Sequence, residues 1–449
     1  MITAKAFAGK HYAVLGLARS GLATVEALLA SGARVTAWDD KLFPGEGRDP
    51  GQREPLLSSG LGPGLRRGTE FTNLNEADLS QFDSIVVTPG LPLNRHPIAR
   101  RARDAGVEII GDIELFARAR PELPPHKVVG ITGTNGKSTT TALIHHILKT
   151  AGVPAEMGGN IGLPILAQDP LPEGGVYVLE LSSYQIDLTQ SLDCDVAVLL
   201  NITPDHLDRY ESFEAYAASK ARLFEMQKRE DDRTFIIDED DPTRQIRDAL
   251  RNTDRWFNTI RSYDIDTPDL GVPLPSTLAG PHNKQNASAA LAVVMALGLE
   301  DEAIAQGFST YPGLPHRMER VAEKDGVLFV NDSKATNPTA TSPALAAFEK
   351  IRWILGGQAK TGNLDECAPH FGHVRKAYTI GEAGEMFASL LSPHMAVAEC
   401  VTLDEAVKMA ASEAQAGDTV LLSPACASFD QFRDFEARGD AFRALVGEL

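Results

Sequence analysis

The segment Gly130-Ile-Thr-Gly133-Thr-Asn-Gly136-Lys137-Ser138-Thr139 follows the apolar pair Val128-Val129 and precedes a helix-forming stretch over 140–149. A glycine-bearing turn that leaves a strand and opens a helix aims consecutive backbone N–H groups, and the positive end of the helix, at one point in space. That point is an anion site. Lys137 adds a mobile positive charge, and the hydroxyl of Ser138 can coordinate a divalent cation. The usual phosphate loop carries a glycine five positions before the glycine of its Gly-Lys pair; here that position is Ile131, so the loop is the shorter Gly133-Thr134-Asn135-Gly136-Lys137-Ser138, with Thr139 following.

Around this unit, short Val/Ile/Leu runs alternate with longer helical patterns, which predicts an α/β fold with mainly parallel sheets. The alternation restarts three times. Strands are expected over 12–15, 34–38 and 84–87, with a helix over 21–30. A second set is expected over 176–180, 196–200 and 234–237, with an Ala-rich helix over 287–297. The run Tyr311-Pro-Gly-Leu-Pro315 is punctuation that helices and strands both avoid. Beyond it, strands are expected over 327–330, 353–355, 377–380 and 419–422. The expected domains are 1–114, 115–313 and 314–449.

Composition narrows the function classes. Lys and Arg total 43 against 61 Asp and Glu, a formal charge of -18, which disfavours nonspecific binding to nucleic acid or anionic membranes. The cysteines, Cys194, Cys367, Cys400 and Cys426, are too dispersed for a disulfide framework or a structural zinc site, and read as reduced thiols. The first ten residues lack an export pattern, and no run of about 18 apolar residues occurs. A soluble cytoplasmic protein without membrane insertion is expected.

Other candidate residues stand at expected strand ends. The turn Gly16-Leu-Ala-Arg-Ser20-Gly21 resembles a dinucleotide-binding start but has glycines only at its first and sixth positions, which argues against a nicotinamide cofactor; a diphosphate-containing ligand of another kind fits it. Thr88-Pro89-Gly90 follows a third strand. Glu180 ends an apolar run, so its carboxylate should emerge on the edge that carries the phosphate loop. His206, in Asn201-Ile-Thr-Pro-Asp-His206, is a candidate partner for a second divalent ion or a phosphate. The acidic run 238–241 reads as a solvated turn, and Lys220, within a helical pattern, as a solvated helix residue when composition alone is used.

Several ordered motifs together resemble the Mur ligases, over essentially the whole chain. They are Gly111-Asp-Ile-Glu-Leu-Phe116, the phosphate loop, Gly159-Asn160-Ile-Gly162, Glu180-Leu-Ser-Ser-Tyr-Gln185, Asp205-His206-Leu-Asp-Arg-Tyr210, Ala218-Ser-Lys220, Gly280-Pro-His-Asn283-Lys-Gln-Asn286, Leu314-Pro-His-Arg317 and Asn331-Asp332-Ser-Lys334-Ala-Thr336-Asn337. Leu422-Ser-Pro-Ala-Cys-Ala-Ser428-Phe429-Asp-Gln-Phe432 resembles in particular the members that add D-glutamate. The diamino-acid-adding members' Asp-Asn-Pro-Arg signature is absent.

The resemblance implies three domains: a Rossmann-like N-terminal domain, a central ATP-binding domain and a Rossmann-like C-terminal domain. It implies ATP-dependent joining of D-glutamate to UDP-N-acetylmuramoyl-L-alanine, through an acyl phosphate and a tetrahedral intermediate, by a monomer. A sister activity adding L-glutamate or another amino acid stays open. Lys137 would hold the β and γ phosphates; Ser138, Glu180, His206 and a carbamate formed from CO₂ on Lys220 would hold two Mg²⁺ ions. Asn283, Asn286, Arg317 and Asp332 would contact the nucleotide, and Lys334 would act near the phosphates. Ser20, Lys41, Thr88, Pro89, Gly90 and Asn160 would hold the UDP-linked substrate; Lys41 stands where the family pattern has Arg. Thr336, Lys360, Ser428, Phe429 and Phe435 would form the amino-acid pocket, where Gln358 replaces a common Asp. Closure of the third domain over ATP, excluding water, is expected to accompany the reaction.

Overall fold

The computed structural model describes residues 1–40, 68–205, 209–238, 240–251, 258–260, 274–278 and 281–449. The chain forms two compact units, Met1–Tyr311 and Pro312–Leu449.

The first unit holds two parallel sheets. One contains β1 (His11–Leu15), β2 (Arg34–Trp38), β3 (Thr69–Phe71), β4 (Ser84–Val87) and β5 (Glu108–Ile110) in the order β3-β2-β1-β4-β5. Helix α1 (Arg19–Ala30) follows β1 and α2 (Pro97–Ala105) follows β4. The order reverses between β1 and β4, and the crevice outside the carboxyl ends of two such strands is where open α/β sheets hold ligands. The second sheet contains β6 (His126–Thr132), β7 (Ala155–Gly159), β8 (Gly175–Glu180), β9 (Val196–Leu199), β10 (Arg233–Ile237) and β11 (Asn258–Ile260), ordered β11-β10-β9-β6-β8-β7. Residues 128–132 and all of β8 and β9 are buried, as expected for strands covered on both faces.

Helix α3 (Asp112–Ala119) joins the two sheets. The buried Glu114 carboxylate accepts the backbone N–H groups of Gln190 (2.7 Å) and Ser191 (2.9 Å) and the Nε of Arg118 (2.9 Å). Phe116 stacks edge-on against Tyr177 at 5.0 Å. One apolar core therefore runs from Ile2 to Ile246. Around the second sheet lie α4 (Lys137–Thr150), α5 (Ser183–Asp187), α6 (Phe213–Glu225), α7 (Asp241–Arg251), α8 (Pro281–Ala296) and α9 (Asp301–Ser309), with α8 and α9 packed on α4.

The second unit is one six-stranded sheet of β12 (Glu319–Lys324), β13 (Val327–Asn331), β14 (Ile351–Gly356), β15 (Val374–Ile380), β16 (Ala396–Glu399) and β17 (Thr419–Leu422). Its order is β12-β13-β17-β14-β15-β16, with only the edge strand β12 antiparallel. Alternate residues of β14 enter opposite layers: Trp353 and Leu355 pack with Phe387, and Ile354 packs with Phe442. Helices α10 (Pro338–Ala347), α11 (Gly384–Leu391), α12 (Leu403–Glu413) and α13 (Phe435–Glu448) complete the layers.

Every strand expected from apolar runs is present to within three residues at each end. The strands without such a signal, β3, β5, β7, β11, β12 and β16, are mostly short or at sheet edges, where polar residues are tolerated on exposed faces. The helix expected over 287–297 instead begins at Pro281.

Candidate active site

The phosphate loop leaves β6 and enters α4 at Lys137. Gly136 adopts φ 84°, and a Cβ there would collide with Asn286 Oδ1, so α8 seals the loop from one side. The neighbouring strand end braces it from the other. Thr134 N–H donates to Asn201 O (2.8 Å), Asn135 N–H donates to Asn201 Oδ1 (2.8 Å), and Asn201 Nδ2 returns a bond to Asn135 O (3.1 Å). Tyr216 OH lies 3.0 Å from Thr134 Oγ1. The Lys137 ammonium rests on the carbonyls of Gly133 and Thr134, both at 2.9 Å. Ser138 is buried at the first turn of α4, while Thr139 is half-buried. Asn286 accepts from Thr140 Oγ1 (3.3 Å) and donates to Asn283 Oδ1 (3.2 Å), which makes α8 a polar support for α4.

Glu180 sits at the carboxyl end of β8, in register with Ile131 of β6 and Gly159 of β7. Its carboxylate is 2 % exposed. Oε1 accepts from Asn160 Nδ2 at 3.0 Å, whereas Oε2 is buried without a hydrogen-bond partner. A buried carboxylate oxygen with no donor is costly unless something positive completes it, and hard divalent cations take such oxygens. The residues therefore fit a magnesium site. Among the described residues no group of three or more His, Cys, Asp and Glu side chains forms a ready-made metal cage.

Lys220 lies inside α6, also 2 % exposed, and donates to Gly133 O at 3.0 Å with its ammonium 4.6 Å from the Tyr216 ring centroid. Burial, with the nearby Lys137 charge second, pushes its pKa down to about 7. The expectation of a solvated lysine, drawn from composition, is thus corrected: the apolar face of α6 and the phosphate loop enclose it.

At the first sheet's reversal point, Gly16 adopts φ 96°, and a Cβ there would strike Thr88 Oγ1, so the turn after β1 and the loop after β4 touch. Ser20 lies in the first turn of α1, and Thr88, Pro89 and Gly90 lie in the loop. The Asp39 carboxylate accepts Leu17 N–H at 2.7 Å, closing the turn. Arg209 donates to Gly90 O (2.7 Å) and Leu91 O (2.8 Å) with its guanidinium 4.7 Å from the Tyr184 ring centroid, and the cleft beside it encloses about 170 Å³.

In the second unit the carboxyl ends of β13, β17 and β14 are neighbours. Asp332 follows β13, is fully buried, accepts from Ser423 Oγ (2.7 Å) and Met318 N–H (3.1 Å), and has its pKa pushed up to about 7 by burial. Lys334 places its ammonium 5.6 Å from the Phe435 ring centroid. Lys360 follows β14 and is exposed; Ser428 follows β17 and is buried; Thr336 is half-buried; Phe429 and Arg317 are exposed.

The sequence matches three family models: the Mur ligase MurD-like N-terminal domain over 10–111, the Mur ligase middle domain over 131–294, and the Mur ligase glutamate ligase domain over 316–426. The chain is 57 % identical over 449 residues to the UDP-N-acetylmuramoylalanine–D-glutamate ligase of Novosphingobium aromaticivorans, covering 100 % of this chain and 97 % of that one.

The chain belongs to the Mur ligase family.

Its resemblance to that family, read from the motifs above, is therefore established, as is the three-domain α/β architecture. The same-named ligase of Zymomonas mobilis is 54 % identical over 454 residues, with both chains fully covered. Among solved structures, the UDP-N-acetylmuramate–alanine ligase of Thermotoga maritima matches with a TM-score of 0.60 at 17 % identity, over 98 % of this chain and 99 % of that one, a likeness of fold.

Within this Mur ligase, the first unit brings the loop 133–139, Glu180, Asn160, Lys220, Asn283 and Asn286 to the carboxyl edge of the second sheet, and Ser20, Thr88, Pro89 and Gly90 to that of the first. Lys334, Thr336, Lys360, Ser428 and Asp332 gather at the carboxyl edge of the third sheet. Lys41 and His206 lie outside the described residues. Reading by motif missed the bracing side chains Asn201, Tyr216 and Arg209. Asn201 had a usable signal, since it follows a strand adjacent to β6. The acidic run is more than a solvated turn: Asp238 pairs with Arg244 and Arg247, and Asp240 accepts Ile202 N–H at 2.9 Å.

Proposed function

We propose that the protein is an ATP-dependent ligase that joins D-glutamate to UDP-N-acetylmuramoyl-L-alanine during cytoplasmic synthesis of peptidoglycan precursors. The observation that carries this reading is the phosphate loop beside Glu180, whose buried Oε2 has no donor. Relatives 54 % and 57 % identical over 100 % and 97 % of their own length, named for this reaction, and the glutamate ligase domain matched over 316–426 support the substrate assignment.

In this reading the carboxylate of the muramoyl substrate attacks the γ phosphorus of ATP, ADP leaves, and an acyl phosphate forms. The amine of D-glutamate then attacks the acyl carbon; inorganic phosphate leaves, and the amine releases a proton. Lys137 and the amides of Gly136 to Thr139, at the start of α4, hold the phosphates in line. Ser138, Glu180 and His206 would hold Mg²⁺, which neutralises charge on the transferring phosphoryl group. Asn160 orients Glu180 and the muramoyl end of the substrate. Asn283, Asn286, Arg317 and Asp332 serve the nucleotide, with Lys334 beside its phosphates. Ser20, Lys41, Thr88, Pro89 and Gly90 serve the UDP moiety. Thr336, Lys360, Ser428, Phe429 and Phe435 serve the amino acid.

Lys220 fits modification by CO₂. A neutral amine attacks CO₂, giving a carbamate and a proton, and the lowered pKa supplies neutral amine near pH 7. The product is an anionic oxygen ligand at the phosphate loop.

The test is mass analysis of the nucleotide-linked product after incubation with Mg-ATP, UDP-N-acetylmuramoyl-L-alanine and single amino acids. A gain of one glutamyl residue with D-glutamate supports the reading. A gain with L-glutamate or another amino acid instead, as the Gln358 departure allows, would reassign the specificity, and no gain with any would refute the ligase.

A further inference from the structure

Arg438, in the first turns of α13, is 1 % exposed. Its guanidinium donates to Ser333 Oγ (3.0 Å) and O (2.9 Å), to Cys426 O (3.0 Å) and to Ala427 O (3.4 Å). A third loop closes on the same group: a Cβ at Gly357 would strike Ala427 O and come within 3.2 Å of Arg438 Nη1. Gln358 and Ala427 then exchange backbone hydrogen bonds of 2.9 and 3.0 Å. One side chain thus fastens the residues following β13 and β17, and the residues following β14 pack on it and bond to Ala427; these segments lead into Thr336, Ser428 and Lys360. Among the described residues no carboxylate forms an ion pair with Arg438. Every acceptor it has is a neutral oxygen, and the Asp430 carboxylate favours its charge only through space, so the cation is buried beneath these loops without a contacting carboxylate. That arrangement is expensive for stability alone, and a hydrophobic side chain of similar size would fill the space at lower cost.

We propose that Arg438 is a positioning residue for the amino-acid substrate: it sets the three loops that receive a dicarboxylic amino acid. The inference rests on the reading of the second unit as the glutamate site. It predicts a loss specific to one substrate, which a purely structural role does not.

The test uses the full-length protein and the variants Arg438→Met and Arg438→Lys, with KM measured separately for D-glutamate, ATP and UDP-N-acetylmuramoyl-L-alanine. Arg438→Met should raise KM for D-glutamate roughly tenfold to a hundredfold, the range for losing support of a charged hydrogen-bonded group, and move the other two by less than about twofold. Arg438→Lys should recover part of the loss, because it keeps charge and donors; it also carries the test if the methionine variant does not fold. Active wild type with unchanged KM for D-glutamate in both variants, or an equal rise in all three constants with a lowered melting temperature, overturns the inference alone. Wild type that ligates no amino acid overturns the functional reading and the inference with it.

Discussion

Lys220 Nζ donates to the carbonyl oxygen of Gly133, the first residue of the phosphate loop, across 3.0 Å of buried space. The lysine is thereby held against the anion site while burial and Lys137 disfavour its ammonium form. Lys220→Met should lower kcat about a hundredfold, the effect of removing a metal-supporting ligand, while intact mass of active wild type should show a gain of one CO₂. At fixed dissolved CO₂, activation should rise as pH passes upward through about 7. The unmodified amine binds fewer protons when folded than when unfolded between about 7 and its ordinary 10.5, so stability should rise with pH over that window. In Lys220→Met this rise should be smaller; unmodified lysine in fully active enzyme would refute the carbamate.

Glu180→Gln should raise the Mg²⁺ concentration needed for half-maximal activity by at least about tenfold, because an amide is a poorer ligand for a hard cation than a carboxylate. Asn160→Ala frees Glu180 Oε1 from its 3.0 Å hydrogen bond, and should raise KM for the muramoyl substrate more than the Mg²⁺ requirement. A Mg²⁺ titration of both variants separates the two roles.

The parts legible in the sequence were those written locally. The phosphate loop, the strand ending at Glu180 and the helix carrying Lys220 each announce themselves within about ten residues, through periodicity and glycine placement. What escaped depends on contacts between distant segments. Tyr216 reaches Thr134 across 82 positions, and Arg438 reaches Ser333 across 105. The sequence shows Lys220 on a helix but not that the loop of Gly133 covers it. Edge strands such as β3 and β16 escaped for another reason: with one side unpaired they need no apolar run.

Gly136→Ala should weaken ATP binding at least about tenfold, since φ 84° is strained for alanine and its Cβ meets Asn286 Oδ1. Nucleotide titration by calorimetry measures the loss. Gly106→Ala, also at positive φ but with open space around the added Cβ, should leave ATP affinity unchanged.

Asp332 binds a proton more tightly in the folded protein, at about 7, than at its ordinary 3.8. Between those values the native state holds more protons than the unfolded state, so this group makes stability fall as pH rises from about 4 to about 7. Asp332→Asn removes the ionisation. Its melting temperature relative to wild type should therefore increase between about pH 5 and about pH 8, which differential scanning calorimetry can follow. A constant difference across that range would contradict the buried-carboxyl account.

The central claim is tested most directly by phosphate release from Mg-ATP with UDP-N-acetylmuramoyl-L-alanine and D-glutamate, L-glutamate, L-alanine or no amino acid. The account predicts sustained release with D-glutamate alone. Sustained release with a different amino acid, or none under any condition, would contradict it.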